Sequence, residues 1–292
     1  MDKTSNRIIL LFPLFILFFL STVSSQTPAI ENLEKKLATH TYADTVRVNL
    51  LNKLGYELYA INADRAKAYA QEAQKIATGL NYPEGEAAGL WITGLTARNT
   101  PKTALEYFEK ALDIAERVKD QTGICNYLLA ISVVQKAMGN IKASDEAIEK
   151  GLRASTALKN PAIRIKLLYN SANNLTSRGE YPQGIRKLQE VIVLSTESNN
   201  KTMLAKAQSS IATALNRQGD PLRALEYYLK GLHIYEELND QRGICGLLVN
   251  MGSVKSEQNE QEAALKDFNR ALQLSKELND PFLICLLYTS PS

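Results

Sequence analysis

Ala224-Leu225-Glu226-Tyr227-Tyr228-Leu229-Lys230-Gly231-Leu232 places a small residue first, an aromatic one four places on, a second small one at seven and a leucine at eight. Those steps trace one face of an amphipathic helix, with small side chains where a partner helix crosses closely. The stripe returns forty residues later as Ala264, Phe268, Ala271 and Leu272. Stepping back by forty gives Gly184, Leu188, Val191 and Ile192, then Ser144, Ile148, Gly151 and Leu152, then Ala104, Phe108, Ala111 and Leu112. Turn residues keep the same step, from Asn259 through Gly219, Gly179 and Gly139 to Asn99. A fixed period of this length marks an array of stacked units, whose chain length counts repeats instead of domains.

Each unit reads as two helices. Asp120, Asn160, Asn200, Asp240 and Asp280 recur every forty residues as N-caps, whose side-chain oxygen accepts a hydrogen bond from a backbone N–H that has no partner within the helix. Pro161 and Pro281 follow two of these caps, at a position where a missing N–H costs nothing. The second helix starts in the same way at Asp220-Pro221 and Thr100-Pro101, and near Pro182. In the first helix Leu248, Met251 and Gly252 form an inward face, with Ala212 and Ala172 at the Gly252 phase; in the second, Leu265 joins the stripe of Ala264 and Phe268.

This order of small residue, turn, small residue, aromatic and small residue resembles the tetratricopeptide repeat, most clearly in Leu248-Val249-Asn250-Met251-Gly252 and Ala224 to Leu232. The resemblance implies an all-α fold, a right-handed superhelical solenoid of antiparallel helix pairs. The family's usual period is about thirty-four residues; the extra length here falls after Ala271, as in longer variants from bacterial signalling proteins. Six units are expected near 43–80, 81–119, 120–159, 160–199, 200–239 and 240–279, with a truncated seventh from 280. Lys67 and Gln74 stand at places that are apolar elsewhere, which suits an N-terminal capping repeat with a wetter face.

The two ends differ from the array. Lys3 and Arg7 precede the apolar run Ile8 to Leu20, and Ser21-Thr22-Val23-Ser24-Ser25 follows, the three-part pattern of a secretory signal peptide over residues 1–25. The alternative is an uncleaved anchor, for which the run is short against about twenty residues. Residues 26–42 form a leader. Residues 285–292, from Cys285 to Ser292, resemble a one-frame translation of a sequencing-library adaptor, which implies a natural C-terminus lying elsewhere. Ile284-Cys285 stands in phase with Ile244-Cys245, so the junction falls on one side or the other of Cys285.

Composition narrows the function. The net charge is +3, from 34 Lys and Arg against 31 Asp and Glu scattered along the chain, with no basic stripe for nucleic acid. The two histidines, His40 and His233, have no Cys or carboxylate cluster at metal-ligand spacing, so no metal and no cofactor are expected. Cys125 and Cys245 share one helix phase and read as buried packing residues too far apart to bridge. Polar residues suited to acid, base or nucleophile roles do not cluster, and catalysis is not expected of the residues given.

The tetratricopeptide resemblance implies that the first helices line a concave face that binds peptides or protein segments. On that face Lys166, Tyr169, Asn173 and Thr176 form one stripe and Lys206, Ser209, Thr213 and Asn216 a second, with Asn126 and Lys136 before them and Ser253 and Ser256 after. Toward the N-terminus come Asn49, Asn52, Tyr56 and Tyr59, then Trp91, Leu95 and Arg98. Ammonium groups, amides and hydroxyls suit a peptide backbone or a carboxylate, and the aromatic residues suit an apolar side chain. The set is similar to the carboxylate clamp of chaperone-binding members without reproducing it, since Ser210 and Thr213 stand where amides belong. The expected function is an exported interaction module, periplasmic or secreted, that recognises a peptide or protein segment or pairs with its own kind. It is either the sensory part of a bacterial regulator, with a membrane segment and effector beyond it, or a stand-alone scaffold.

Overall fold

The computed structural model describes residues 28–97 and 99–278. The stretch read as a signal peptide, Asp280, Pro281 and the adaptor-like tail lie outside the described residues. Among those described there is no strand. The helices are α1 (Pro28–Thr39), α2 (Thr45–Leu58), α3 (Ala63–Gly79), α4 (Pro83–Thr96), α5 (Pro101–Val118), α6 (Gln121–Ala137), α7 (Ile141–Ala154), α8 (Ala162–Ser177), α9 (Tyr181–Glu197), α10 (Lys201–Arg217), α11 (Pro221–Glu237), α12 (Gln241–Glu257) and α13 (Gln261–Glu277), with a short 3-10 turn at Ser155–Ala157. From α2 onward each even-numbered helix packs against the next, and each pair packs on the one before it. The fold is an all-α solenoid of antiparallel helix pairs.

Local chemistry sets the helix ends. The side chains of Asp44, Asn62, Asn200, Asp220 and Asp240 each accept from the backbone N–H three residues on. Asp120 and Asn160 accept from the N–H two residues on, of Thr122 and Ala162. Thr100 departs from the expected cap: its hydroxyl donates back to the Ala97 carbonyl instead. Between the helices of a pair the chain turns through a left-handed residue at Gly139, Gly179, Gly219 and Asn259. Glycine adopts that conformation without the steric cost a Cβ brings.

Packing follows the repeated stripe. Ala224, Tyr228, Gly231 and Leu232 are buried, and a Cβ at Gly252 would stand 2.8 Å from Phe268 Cε1 on the paired helix. Overpacking such a crossing costs about 1 to 3 kcal/mol. The inward face of α3 carries Ala66, Ala70, Ala73 and Ala77, so Lys67 does not occupy an inward place: it is exposed, and Gln74 donates from Nε2 to Thr93 Oγ1. The phase has slipped because α2 and α4 have 14 residues against 17 in α6, α10 and α12. Leu265 is 59% exposed, since α13 is the last helix described and the equivalent Leu225 packs on the pair that follows it.

Helix α1, inside the stretch read as a leader, closes the N-terminal end. Ile30 and Leu33 are buried against Leu54, Leu58 and Ala66. Arg65 pairs with Glu34 of α1, and Arg47 joins Glu72 to the His40 carbonyl, tying α1 to the first pair.

Candidate functional site: a groove on the concave face

The first helices α2, α4, α6 and α8 border one groove of about 480 Å³. Its N-terminal wall is aromatic. Tyr56 stacks on Trp91 with centroids 5.1 Å apart and planes 22° from parallel; Tyr56 meets Tyr59 at 5.5 Å, and Trp91 meets Tyr127 at 6.0 Å. Offset contacts of this kind hold rings in place beyond their area burial. Desolvation raises the pKa of Tyr56 above the usual phenol value, and that of Tyr127 further. Phe108 of α5 supplies the floor. It can do so because Gly94 has no side chain: a Cβ there would stand 2.4 Å from Phe108 Cε1.

The opposite wall comes from α6, where Asn126, Leu129, Ala130 and Val133 line the groove; Val133 is 52% exposed. Lys166 of α8 borders the same space. Trp91, part of this lining, has its indole N–H buried without a hydrogen-bond partner. A buried donor left unmade costs about 1–3 kcal/mol, and such groups commonly mark a place where something else completes the bond.

Beyond Lys166 the concave face becomes polar and tied to itself. Tyr169 OH accepts from Ser210 Oγ at 3.1 Å. Thr213 Oγ1 lies 2.9 Å from Tyr228 OH and bonds the Ser209 carbonyl. Lys166 and Lys206 are exposed, while Lys136 is half-buried with its pKa lowered by desolvation.

The structure therefore brings together only some of the residues selected from the sequence. Trp91, Tyr56, Tyr59, Leu95, Asn126 and Lys166 share the groove. Thr176 faces its paired helix, where its methyl fills the space a Cβ at Gly184 would need. Asn216 donates to Glu257 on α12, and buried Asn52 donates to the Gly85 carbonyl. Asn173 is on α8 but not part of the groove lining, Lys206, Ser209 and Thr213 lie on α10 past the groove, and Arg98 falls outside the described residues. Phe108, Gly94 and Val133 were not selected. Val133 was legible, since it stands forty residues before Asn173.

Neither histidine lies in the groove. His40 Nε2 is 2.8 Å from the Asp44 carboxylate, and His233 is exposed beside Glu237. Burial pushes the Cys125 thiol up to about 11, with its Sγ toward the Gly151 carbonyl, and Cys245 is buried in the same register beside Ala271.

Stacked helix pairs with a groove along their first helices define a helical-repeat solenoid. Residues 203–277 match the tetratricopeptide repeat family. Among solved structures, the Rap protein complexed with Competence and Sporulation Factor is similar at 15% identity, over 88% of this chain and 78% of that one, with a TM-score of 0.64. Aspartyl phosphate phosphatase F from Bacillus subtilis is similar at 13% identity, over 91% and 78%, with a TM-score of 0.65. NprR in complex with its cognate peptide NprX is similar at 15%, over 89% and 78%, with a TM-score of 0.61. Identities this low establish a shared fold. No curated protein matches the chain.

Proposed function

We propose that the concave face binds a peptide or protein segment, seating an apolar side chain in the groove between Trp91 and Val133. The observation that carries this reading is a groove with aromatic and aliphatic walls whose lining includes a buried indole N–H without a partner. The segment's apolar side chain covers Val133. Lys166, at the groove edge, and Lys206 beyond it favour a carboxylate on the same segment. Two of the similar folds were solved with a Competence and Sporulation Factor and a cognate peptide, which supports a peptide as occupant.

The residues before the array support an exported sensor: Lys3 and Arg7, the apolar run and the small residues to Ser25 direct secretion, and the array recognises its segment outside the cytoplasm. Fusion of residues 1–30 to a reporter active only outside the cytoplasm should give signal, with the mature product starting near Gln26. A full-length cytoplasmic product refutes export.

Selection of random displayed peptides on the parent and on Val133→Glu tests the binding reading. The parent should enrich peptides with a large apolar residue, and the variant should lose them at least tenfold. Identical enriched sets from the two proteins would move the site away from the groove.

A further inference from the structure

Four of the five junctions between successive helix pairs are built alike among the described residues. Asn81, Lys119, Asn199 and Asn239 each take a left-handed conformation, with φ from 51° to 59°. The next residue's N–H then bonds the carbonyl five places back, as Tyr82 to Ala77, Asp120 to Ala115, Asn200 to Ser195 and Asp240 to Tyr235. This closure satisfies the helix's last carbonyls and fixes the angle at which the next pair leaves.

The junction between α7 and α8 lacks it. Helix α7 stops at Ala154, the chain makes one 3-10 turn, and Leu158 runs extended at φ −90° and ψ 131°. No residue there is left-handed. The hydroxyls of Ser155 and Thr156 bond the Leu152 and Arg153 carbonyls in place of the backbone closure. Asn160 precedes Pro161, which biases it away from helical backbone.

The seam between α7 and α8 is polar at its other end, about 18 Å along α8 from the turn. Asn174 of α8 is fully buried where Val134, Ala214 and Val254 stand in the other units. Its amide donates to Ser144 Oγ and Asp145 Oδ1 of α7 at 3.0 and 2.7 Å, and its own carbonyl oxygen has no partner. Apolar contact across the seam comes from the end of α7, where Leu152 packs on the buried cluster of α8 to α13 and Gly151 faces Leu167, while the buried cluster of α5 to α7 ends at Ala147. Hydrogen bonds at such a seam can be exchanged with water, whereas packed apolar surface cannot.

We propose that the array flexes at the α7–α8 joint, so that residues 28–154 and 162–277 move as two bodies and carry Lys166 toward or away from the Trp91 wall of the groove. The device is independent of which segment the groove takes.

Hydrogen exchange on the intact protein tests it. Amides of residues 155–165 should exchange at least tenfold faster than those of residues 195–205, the same phase one unit on. Restoring the standard turn with Lys159→Asn and Pro161→Lys should bring protection at 155–165 within threefold of that at 195–205. Asn174→Val, which leaves the turn unaltered, should slow exchange in the same segment and serves as the second variant if the double one does not fold. In urea, the parent should lose helix in two phases, with the emission of its one tryptophan, Trp91, following one of them. Equal protection of the two segments in the parent, or faster exchange in Asn174→Val, overturns the joint.

Discussion

The two ends of the concave face are built from the same helix positions and do opposite things with them. On α6 the stripe carries Leu129, Ala130 and Val133, which leave apolar surface open beside Trp91. On α8 and α10 the same phases carry Tyr169, Asn173, Ser210 and Thr213, where the tyrosine and Thr213 spend their hydroxyls within the protein. Repetition of the backbone thus fixes where a ligand can lie, and substitution within the repeat decides where it is gripped. An apolar surface that its own fold leaves uncovered is the stronger sign of a contact site. Polar groups already bonded to one another have less to offer.

The largest expected effect comes from closing the space that a glycine leaves for the groove floor. Gly94→Leu forces Phe108 from the groove floor and should cost about 1 to 3 kcal/mol, with loss of segment capture. A Cβ at Gly246 of α12, at the exposed phase of Lys166 and Lys206, meets nothing within 4 Å, so Gly246→Leu should leave stability unchanged or raise it by up to about 1 kcal/mol. Urea melts of the two variants decide this; equal losses would mean that the groove floor is packed no more closely than the open face of α12.

A smaller effect is expected from charge. Replacing Lys166 and Lys206 together by Ala should shift stability by less than about 0.5 kcal/mol, because exposed side chains away from special features contribute little. Capture of a carboxylate-bearing peptide should nevertheless weaken several-fold, and the loss should shrink at high salt. Binding that does not change with either lysine would confine recognition to the aromatic end.

The smallest effect is alkaline. Burial pushes the Tyr235 hydroxyl from 10.0 up to about 12, so the unfolded chain ionises first. That tyrosine's contribution is fully present below pH 10 and is lost as pH rises through about 12. Tyr235→Phe should make the fall in stability over that window shallower, measured by urea midpoints at successive pH values. An unchanged slope would show that Tyr235 is not the group responsible.

Period and caps made the architecture legible, because a forty-residue step constrains many positions at once and Asn or Asp before a helix has a local cause. The first two units, near 43–80 and 81–119, already read as shorter than forty, yet Lys67 was placed at the fixed step; the shortening lies in α2 and α4. Within the site, Trp91 and Lys166 were found as residue types that suit a ligand. Thr176 turns to its paired helix, because one turn of helix separates the trough from that contact and a stripe read at a single spacing does not resolve the two, while Asn216 bonds Glu257 on the next first helix. Phe108 was read only as part of the packed stripe, since a groove floor and a core side chain share one sequence signature.

Trp91 emission during titration with a displayed peptide selected on the parent tests the groove most directly, since the chain has a single tryptophan. Peptides with a large apolar residue should produce a saturable change in that emission, at the same midpoint that calorimetry gives, and Val133→Glu should abolish both. Calorimetric binding that leaves Trp91 emission unchanged and survives Val133→Glu would contradict the account.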